Sequence, residues 1–169
     1  HTDQIFTPPP AMATMLYARE VPPVGGDTLF TSLTHAYDAL SDGMKAMLDG
    51  LRGEFTGARL ASLVGSSDIP SNFHPIVRTH PDTGRKALYI SKPEDTLSRF
   101  EGMSADESLP ILSYLYAHSV RPDNIHRHHW SNGDVVMWDN RCTMHYAVHD
   151  YSDDVRDIHR ISIKGSVPR

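Results

Sequence analysis

Asp134-Val135-Val136-Met137-Trp138 follows an Asn132-Gly133 turn and runs directly into Asp139-Asn140-Arg141-Cys142-Thr143-Met144-His145. A short apolar run bounded by turn residues reads as a β-strand, and Asn-Gly just before it has the form of a hairpin turn. Similar runs recur on either side, at Met12 to Ala18, Thr28 to Thr31, His74 to Thr79, Ala87 to Ile90 and Arg156 to Ile163. Pro8-Pro9-Pro10, Pro22-Pro23, Gly25-Gly26 and Pro81-Asp82-Thr83-Gly84 punctuate the intervals. Many short strands separated by turn chemistry predict a mainly β domain, a sandwich or a barrel.

Two stretches follow helical periodicity instead. Leu33, Ala36, Tyr37, Leu40, Met44, Met47, Leu48 and Leu51 recur at intervals of three and four, broken at Ser41-Asp42-Gly43, which predicts two short helices in series. Ser104-Ala105-Asp106-Glu107 has the form of a capping box, so a further helix is expected from there to about His118, with Pro110 awkwardly inside it. Thr56 to Asn72 is rich in Gly and Ser without a clear period and reads as a mobile loop of the kind that closes over active sites.

Composition narrows the function classes. The 169 residues carry 16 Lys+Arg against 21 Asp+Glu, a formal net charge of -5. Neither sign forms the long stripe that nucleic acid or an anionic membrane requires, so neither is expected as a partner. Cys142 is the single cysteine, which excludes an internal disulfide and favours a reducing compartment, the cytoplasm. No apolar run reaches the roughly 20 residues needed to cross a bilayer. The length suits one domain, residues 1–169, and a start at His1 reads as a fragment of a longer product. Eleven histidines are the one anomaly, and imidazole is the commonest protein ligand for transition metals.

His1-Thr2-Asp3 offers an imidazole and a carboxylate on one face if the segment is extended, because residues i and i+2 project the same way. A second imidazole would complete the two-His, one-carboxylate set that leaves open positions on Fe(II). At Trp138 to His145 the chain resembles the taurine dioxygenase family of Fe(II)/2-oxoglutarate oxygenases, whose distal metal histidine closes a W-D-N-R-x-T-x-H motif. The family's H-x-D is matched by His1-Thr2-Asp3 and its G-G-D-T turn by Gly25-Gly26-Asp27-Thr28. His74-Pro75-Ile76-Val77-Arg78-Thr79-His80-Pro81 and Arg156-Asp157-Ile158-His159-Arg160 are further family-like phrases, so the matches span nearly the whole chain in order.

The resemblance implies His1, Asp3 and His145 as iron ligands, with no catalytic side chain beyond the metal centre. It implies Thr28 and Arg156 as the pair that holds the distal carboxylate of 2-oxoglutarate, and Arg160 as the partner of an anionic group on the substrate. A guanidinium fork suits a carboxylate or sulfonate, and two arginines four residues apart on a strand stand roughly 13 Å apart, enough to serve different anions. The implied reaction consumes dioxygen and 2-oxoglutarate, releases succinate and CO2, and hydroxylates a sulfonate, sulfate ester or aryloxyalkanoate. Arg99-Phe100-Glu101-Gly102-Met103 looks like the aryloxyalkanoate members. The implied fold is a double-stranded β-helix, a cupin-like jelly roll with helices packed outside, lacking the family's N-terminal segment, and the resemblance allows a homo-oligomer.

Other assignments compete. His126, His128 and His129 form a rival cluster, but no carboxylate shares their face at ligand spacing. Trp138 is expected to pack in the core and Asn140 to shape the turn. His149 could support the centre or be solvated. A non-catalytic ligand-binding jelly roll would keep the fold and discard the metal, and a copper monooxygenase would use the amine and ring of His1.

Overall fold

The computed structural model describes residues 1–93 and 95–169. From the start the elements are β1 (Ala11–Glu20), β2 (Thr28–Ser32), α1 (Leu33–Asp38), α2 (Asp42–Leu48), β3 (Arg52–Thr56) and α3 (Ala58–Val64). There follow β4 (Ser71–Pro75), β5 (Val77–Thr79), β6 (Lys86–Leu88), β7 (Leu97–Phe100) and α4 (Ala105–Ser119). The chain closes with β8 (Ile125–His128), β9 (Val135–Asp139), β10 (Thr143–Ala147) and β11 (Asp157–Lys164). The expected mainly β architecture with flanking helices is what the chain adopts. β1 lies between β11 and β9, β2 between β10 and β8, β3 between β4 and β7, and β5 pairs with β6, all antiparallel.

Alternation fixes the faces. In β9, Val135 and Met137 are exposed while Val136 and Trp138 turn inward, as a strand with one buried face requires. Thr14 of β1 is opposite Trp138 on one side and Ser162 on the other, and Leu16 is opposite Arg160. The inward face of this sheet therefore carries Thr14, Trp138 and Arg160 together. The apolar core lies elsewhere, where α1 and α4 cover β6 and β7 with Leu33, Leu88, Phe100, Leu112 and Leu115 fully buried. Each such side chain contributes about 1.5–3 kcal/mol on leaving water.

The helices begin as their caps dictate. Ser32 and Ser41 each accept a backbone N–H from three residues on, so Ser41 starts α2 rather than merely interrupting a helix. Ser104 and Glu107 form the capping box that opens α4, and Pro110 is tolerated on its exposed side. Two expectations need correction. Thr56 to Asn72 is not a featureless loop, because it contains α3, which Gly65 ends in a left-handed conformation at φ 66°. The single strand expected from His74 to Thr79 is two, since Ile76 turns its N–H to Leu51 and its carbonyl to Tyr89. No described helix is long and apolar enough to cross a membrane.

Candidate metal centre

The start of the described chain meets strand β10 at His1 and His145. The His1 backbone nitrogen donates to the His145 carbonyl at 2.9 Å, and the His145 N–H returns a 2.9 Å bond to the His1 carbonyl. Thr2 is buried and its hydroxyl donates to the Thr143 carbonyl, 3.1 Å away. This doubly bonded pair sets the imidazoles side by side, with ring centroids 4.3 Å apart. Asp3, two residues on, turns its carboxylate into the same space. Its Oδ1 lies 3.5 Å from His1 Nε2 and 3.9 Å from His145 Nε2. Three atoms adjacent on an ion with bonds of about 2 Å would be about 3 Å apart, so the carboxylate oxygen needs to close on each imidazole nitrogen by less than about 1 Å.

Electrostatics prepare the group for a cation. Burial pushes the Asp3 carboxyl up, but the hydrogen bond from His1, the neighbouring His145, the Thr14 hydroxyl and Arg160 outweigh it and hold it at about 2. Burial, then the adjoining His1, pushes His145 down to about 4. At neutral pH the site thus presents an ionised carboxylate and an unprotonated His145, the forms that bind metal. The His145 Nδ1 is buried without a partner among the described residues, so packing holds the ring: Trp138 stands 4.6 Å and Phe30 6.5 Å from it, centroid to centroid. Two nitrogens and one carboxylate oxygen fit a divalent transition ion. The His1 backbone nitrogen is engaged by a carbonyl, which gives the copper assignment no support.

Arg160 reaches this centre from β11, with Nη1 3.5 Å from Asp3 Oδ1 and more than half of its side chain exposed. Arg156 precedes β11 and donates from Nε to the Gly26 carbonyl at 3.0 Å. Gly26 has φ 71°, and a Cβ there would come within 3.2 Å of Arg156 Cδ, so the second glycine is what admits the guanidinium. Asp27 accepts from Arg127 Nε and His129 Nδ1, and Asp150 receives the Gly26 N–H at 2.8 Å, which pins the turn. Thr28 is buried, and its hydroxyl oxygen accepts from Trp130 Nε1 at 3.0 Å, leaving its own proton for another acceptor. Trp130, Asp150 and Thr14 carried no signal in the sequence, since each acts across a fold contact.

The rival histidines do not converge. His126 is exposed, His128 sits edge-on to Trp130 and 3.4 Å from Asp134, and His129 serves Asp27. His149 is exposed and lines a cavity of ≈ 750 Å³ that opens beside His1 and His145, with Phe6, Phe30, Leu60 and Tyr116 as apolar wall and Arg59 and Lys92 among its cations. Thr28, Arg156 and Arg160 do not line it. A second convergent group, His80, Asp139 and Cys142, is already neutralised: Asp139 binds Arg141 Nη2 at 2.7 Å and His80 Nε2 at 3.0 Å, and burial pushes the Cys142 thiol up. Asn140 does not merely shape the turn; it is fully buried and its side chain points inward to Thr14.

The model of the taurine catabolism dioxygenase TauD, TfdA family matches residues 1–162. The chain is 39% identical over 153 residues to an alpha-ketoglutarate-dependent 2,4-dichlorophenoxyacetate dioxygenase of Cupriavidus pinatubonensis, covering 86% of this chain and 52% of that protein. It is 33% identical over 183 residues to an alpha-ketoglutarate-dependent sulfate ester dioxygenase of Pseudomonas putida, covering 99% of this chain and 60% of that one. The chain therefore spans little more than half the length of these relatives. Among solved structures, AAD-2 in complex with Mn(II) and N-oxalylglycine superposes with a TM-score of 0.89 at 34% identity, over 99% of this chain and 69% of that one.

Proposed function

The chain belongs to the TauD/TfdA dioxygenase family, and on that premise we propose that it is the catalytic domain, residues 1–169, of an Fe(II)- and 2-oxoglutarate-dependent dioxygenase on a double-stranded β-helix. The observation that carries this is the meeting of His1 and Asp3, at the start of the described chain, with His145 of β10 around one point. Iron held by His1, Asp3 and His145 would supply the oxidative chemistry by which dioxygen and 2-oxoglutarate give succinate and CO2 while the substrate gains a hydroxyl. The protein's own part is geometry. His1, Asp3 and His145 would hold the ion, and with only three protein ligands it would remain open to small molecules.

Arg156 and Thr28 hold the far carboxylate of 2-oxoglutarate in this proposal. The turn supports it: Gly26 bonds Arg156 two residues before Thr28, and Trp130 occupies the threonine oxygen so that its O–H is left to donate. N-oxalylglycine is 2-oxoglutarate with one methylene replaced by N–H, so a relative solved in complex with it and Mn(II) supports the same co-substrate here. Arg160 receives the substrate's anionic group, and to do so its guanidinium turns away from Asp3. The names of the relatives favour an aryloxyalkanoate, sulfate ester or sulfonate.

The test is succinate release by the Fe(II)-loaded chain with 2-oxoglutarate and a panel of these three anion classes. Substrate-dependent succinate from wild type, abolished in His145→Ala together with iron binding, is the expected result. Iron bound equally by wild type and His145→Ala would overturn the proposal.

A further inference from the structure

Behind Asp3 lies a file of buried hydrogen bonds whose direction is fixed at one end. The Trp138 Nε1–H donates to Asn140 Oδ1 at 2.9 Å, the Asn140 Nδ2–H donates to Thr14 Oγ1 at 2.8 Å, and the Thr14 hydroxyl donates to Asp3 Oδ2 at 2.7 Å. All four residues are buried, Thr14 and Asn140 wholly so. An indole nitrogen can only donate. It therefore obliges the asparagine to turn its carbonyl oxygen toward Trp138 and its NH2 toward Thr14. A hydroxyl that accepts from an amide has its own single proton to give elsewhere, and the nearest acceptor is Asp3 Oδ2. Each orientation follows from the one before, with no rotamer or tautomer left to choose.

The consequence falls on the carboxylate. Oδ2 is tied back into the protein, while Oδ1 faces both histidine Nε2 atoms. Trp138 also packs its ring 4.6 Å from His145, so one side chain bears on two of the three converging groups, on His145 directly and on Asp3 through the file. Backbone geometry supports the file, since Thr14 and Trp138 are register partners across β1 and β9, and the Asn140 N–H bonds the Met12 carbonyl at 2.8 Å. Partners behind metal ligands orient them and tune their basicity.

We infer that Asn140 and Thr14 are positioning residues that present Asp3 to the metal through a single oxygen, with Trp138 setting the polarity of the whole file. The inference rests on the proposed metal site and adds to it the residues that aim the carboxylate. It also gives the Trp and Asn of Trp138-Asp139-Asn140-Arg141 a task that neither turn shape nor core packing explains.

Equilibrium binding of Co(II), with the ligand-field absorption of the bound ion, tests it without turnover. Thr14→Val removes the hydroxyl at nearly constant volume and is expected to weaken Co(II) binding roughly 10–100-fold and to change the ligand-field spectrum. Thr14→Ser, which keeps the hydroxyl, is expected to recover most of the affinity and the wild-type spectrum. Asn140→Asp presents an acceptor where Thr14 now receives a donor, draws the hydroxyl proton away from Asp3, and is expected to resemble Thr14→Val. Wild-type affinity and spectrum in Thr14→Val, or equal loss in Thr14→Val and Thr14→Ser, would overturn the inference while leaving the metal site intact. Co(II) bound equally by wild type and His145→Ala would instead overturn the site itself, and the inference with it.

Discussion

Replacing Asp139 by Asn should destabilise the metal-free chain by about 2 kcal/mol at pH 7. The carboxylate receives the Arg141 backbone N–H at 2.8 Å, Arg141 Nε at 2.9 and 3.1 Å, Arg141 Nη2 at 2.7 Å and His80 Nε2 at 3.0 Å. Burial pushes its pKa up, but Arg141 and then His80 outweigh that and bring it from 3.8 to about 2. Nearly two pH units at 1.36 kcal/mol each give the expected cost, and the side chain, 30% exposed, is buried enough for the conversion to hold in order of magnitude. Because the folded pKa is depressed, the contribution is fully present above about pH 4 and is lost as pH falls toward 2. Urea unfolding of wild type and Asp139→Asn from pH 7 downward should show a constant gap that closes below pH 4. A gap under about 0.5 kcal/mol at pH 7, the range of an ordinary surface change, or one that widens in acid, would refute the reasoning.

Three further outcomes are expected. His145 is held down to about 4 by burial and by His1, so it resists protonation in the folded chain while an unfolded His accepts a proton near 6.5; metal-free protein should lose roughly 3 kcal/mol as pH falls from 6.5 to 4, and His145→Gln should flatten that limb in acid-unfolding curves. Gly26→Ala places a Cβ at φ 71° against Arg156 and Pro22, at a cost of at least 1–2 kcal/mol in conformation, and should raise the KM for 2-oxoglutarate roughly tenfold, whereas Gly43→Ala, where a Cβ meets nothing, should leave it alone in steady-state assays. Trp130→Phe removes the donor to Thr28 and should weaken 2-oxoglutarate binding by about 1 kcal/mol in calorimetric titration, without changing iron content.

Local signals were legible wherever local chemistry decides the structure. The capping box at Ser104 and Glu107, the short apolar run of β9 bounded by turn residues and the Gly25-Gly26 turn each lie within a few residues and fold as read. β3, β7, β8 and β10 were harder. Arg52-Gly53-Glu54-Phe55-Thr56 has one large apolar residue and Thr143-Met144-His145-Tyr146-Ala147 has polar groups on both faces, and both are strands because neighbours pair with them. The break at Ile76 comes from Leu51 and Tyr89, which no window around Ile76 contains. The residues expected at the centre came from motifs, but those that hold them in place did not. Thr14 meets Asp3 across 11 positions, Trp130 meets Thr28 across 102 and Asp150 meets Gly26 across 124, so pairing in space alone reveals them.

The reciprocal backbone bonds between His1 and His145 join positions 144 apart. An ion bridging the same two residues would act as a clasp on that span, and locking a loop of such length withholds about 5 kcal/mol of chain entropy from the unfolded state. Occupancy and endurance would then be one property. Resistance to proteases and to heat would climb logarithmically with free metal concentration, and starvation for iron would make the chain easier to degrade as well as inactive.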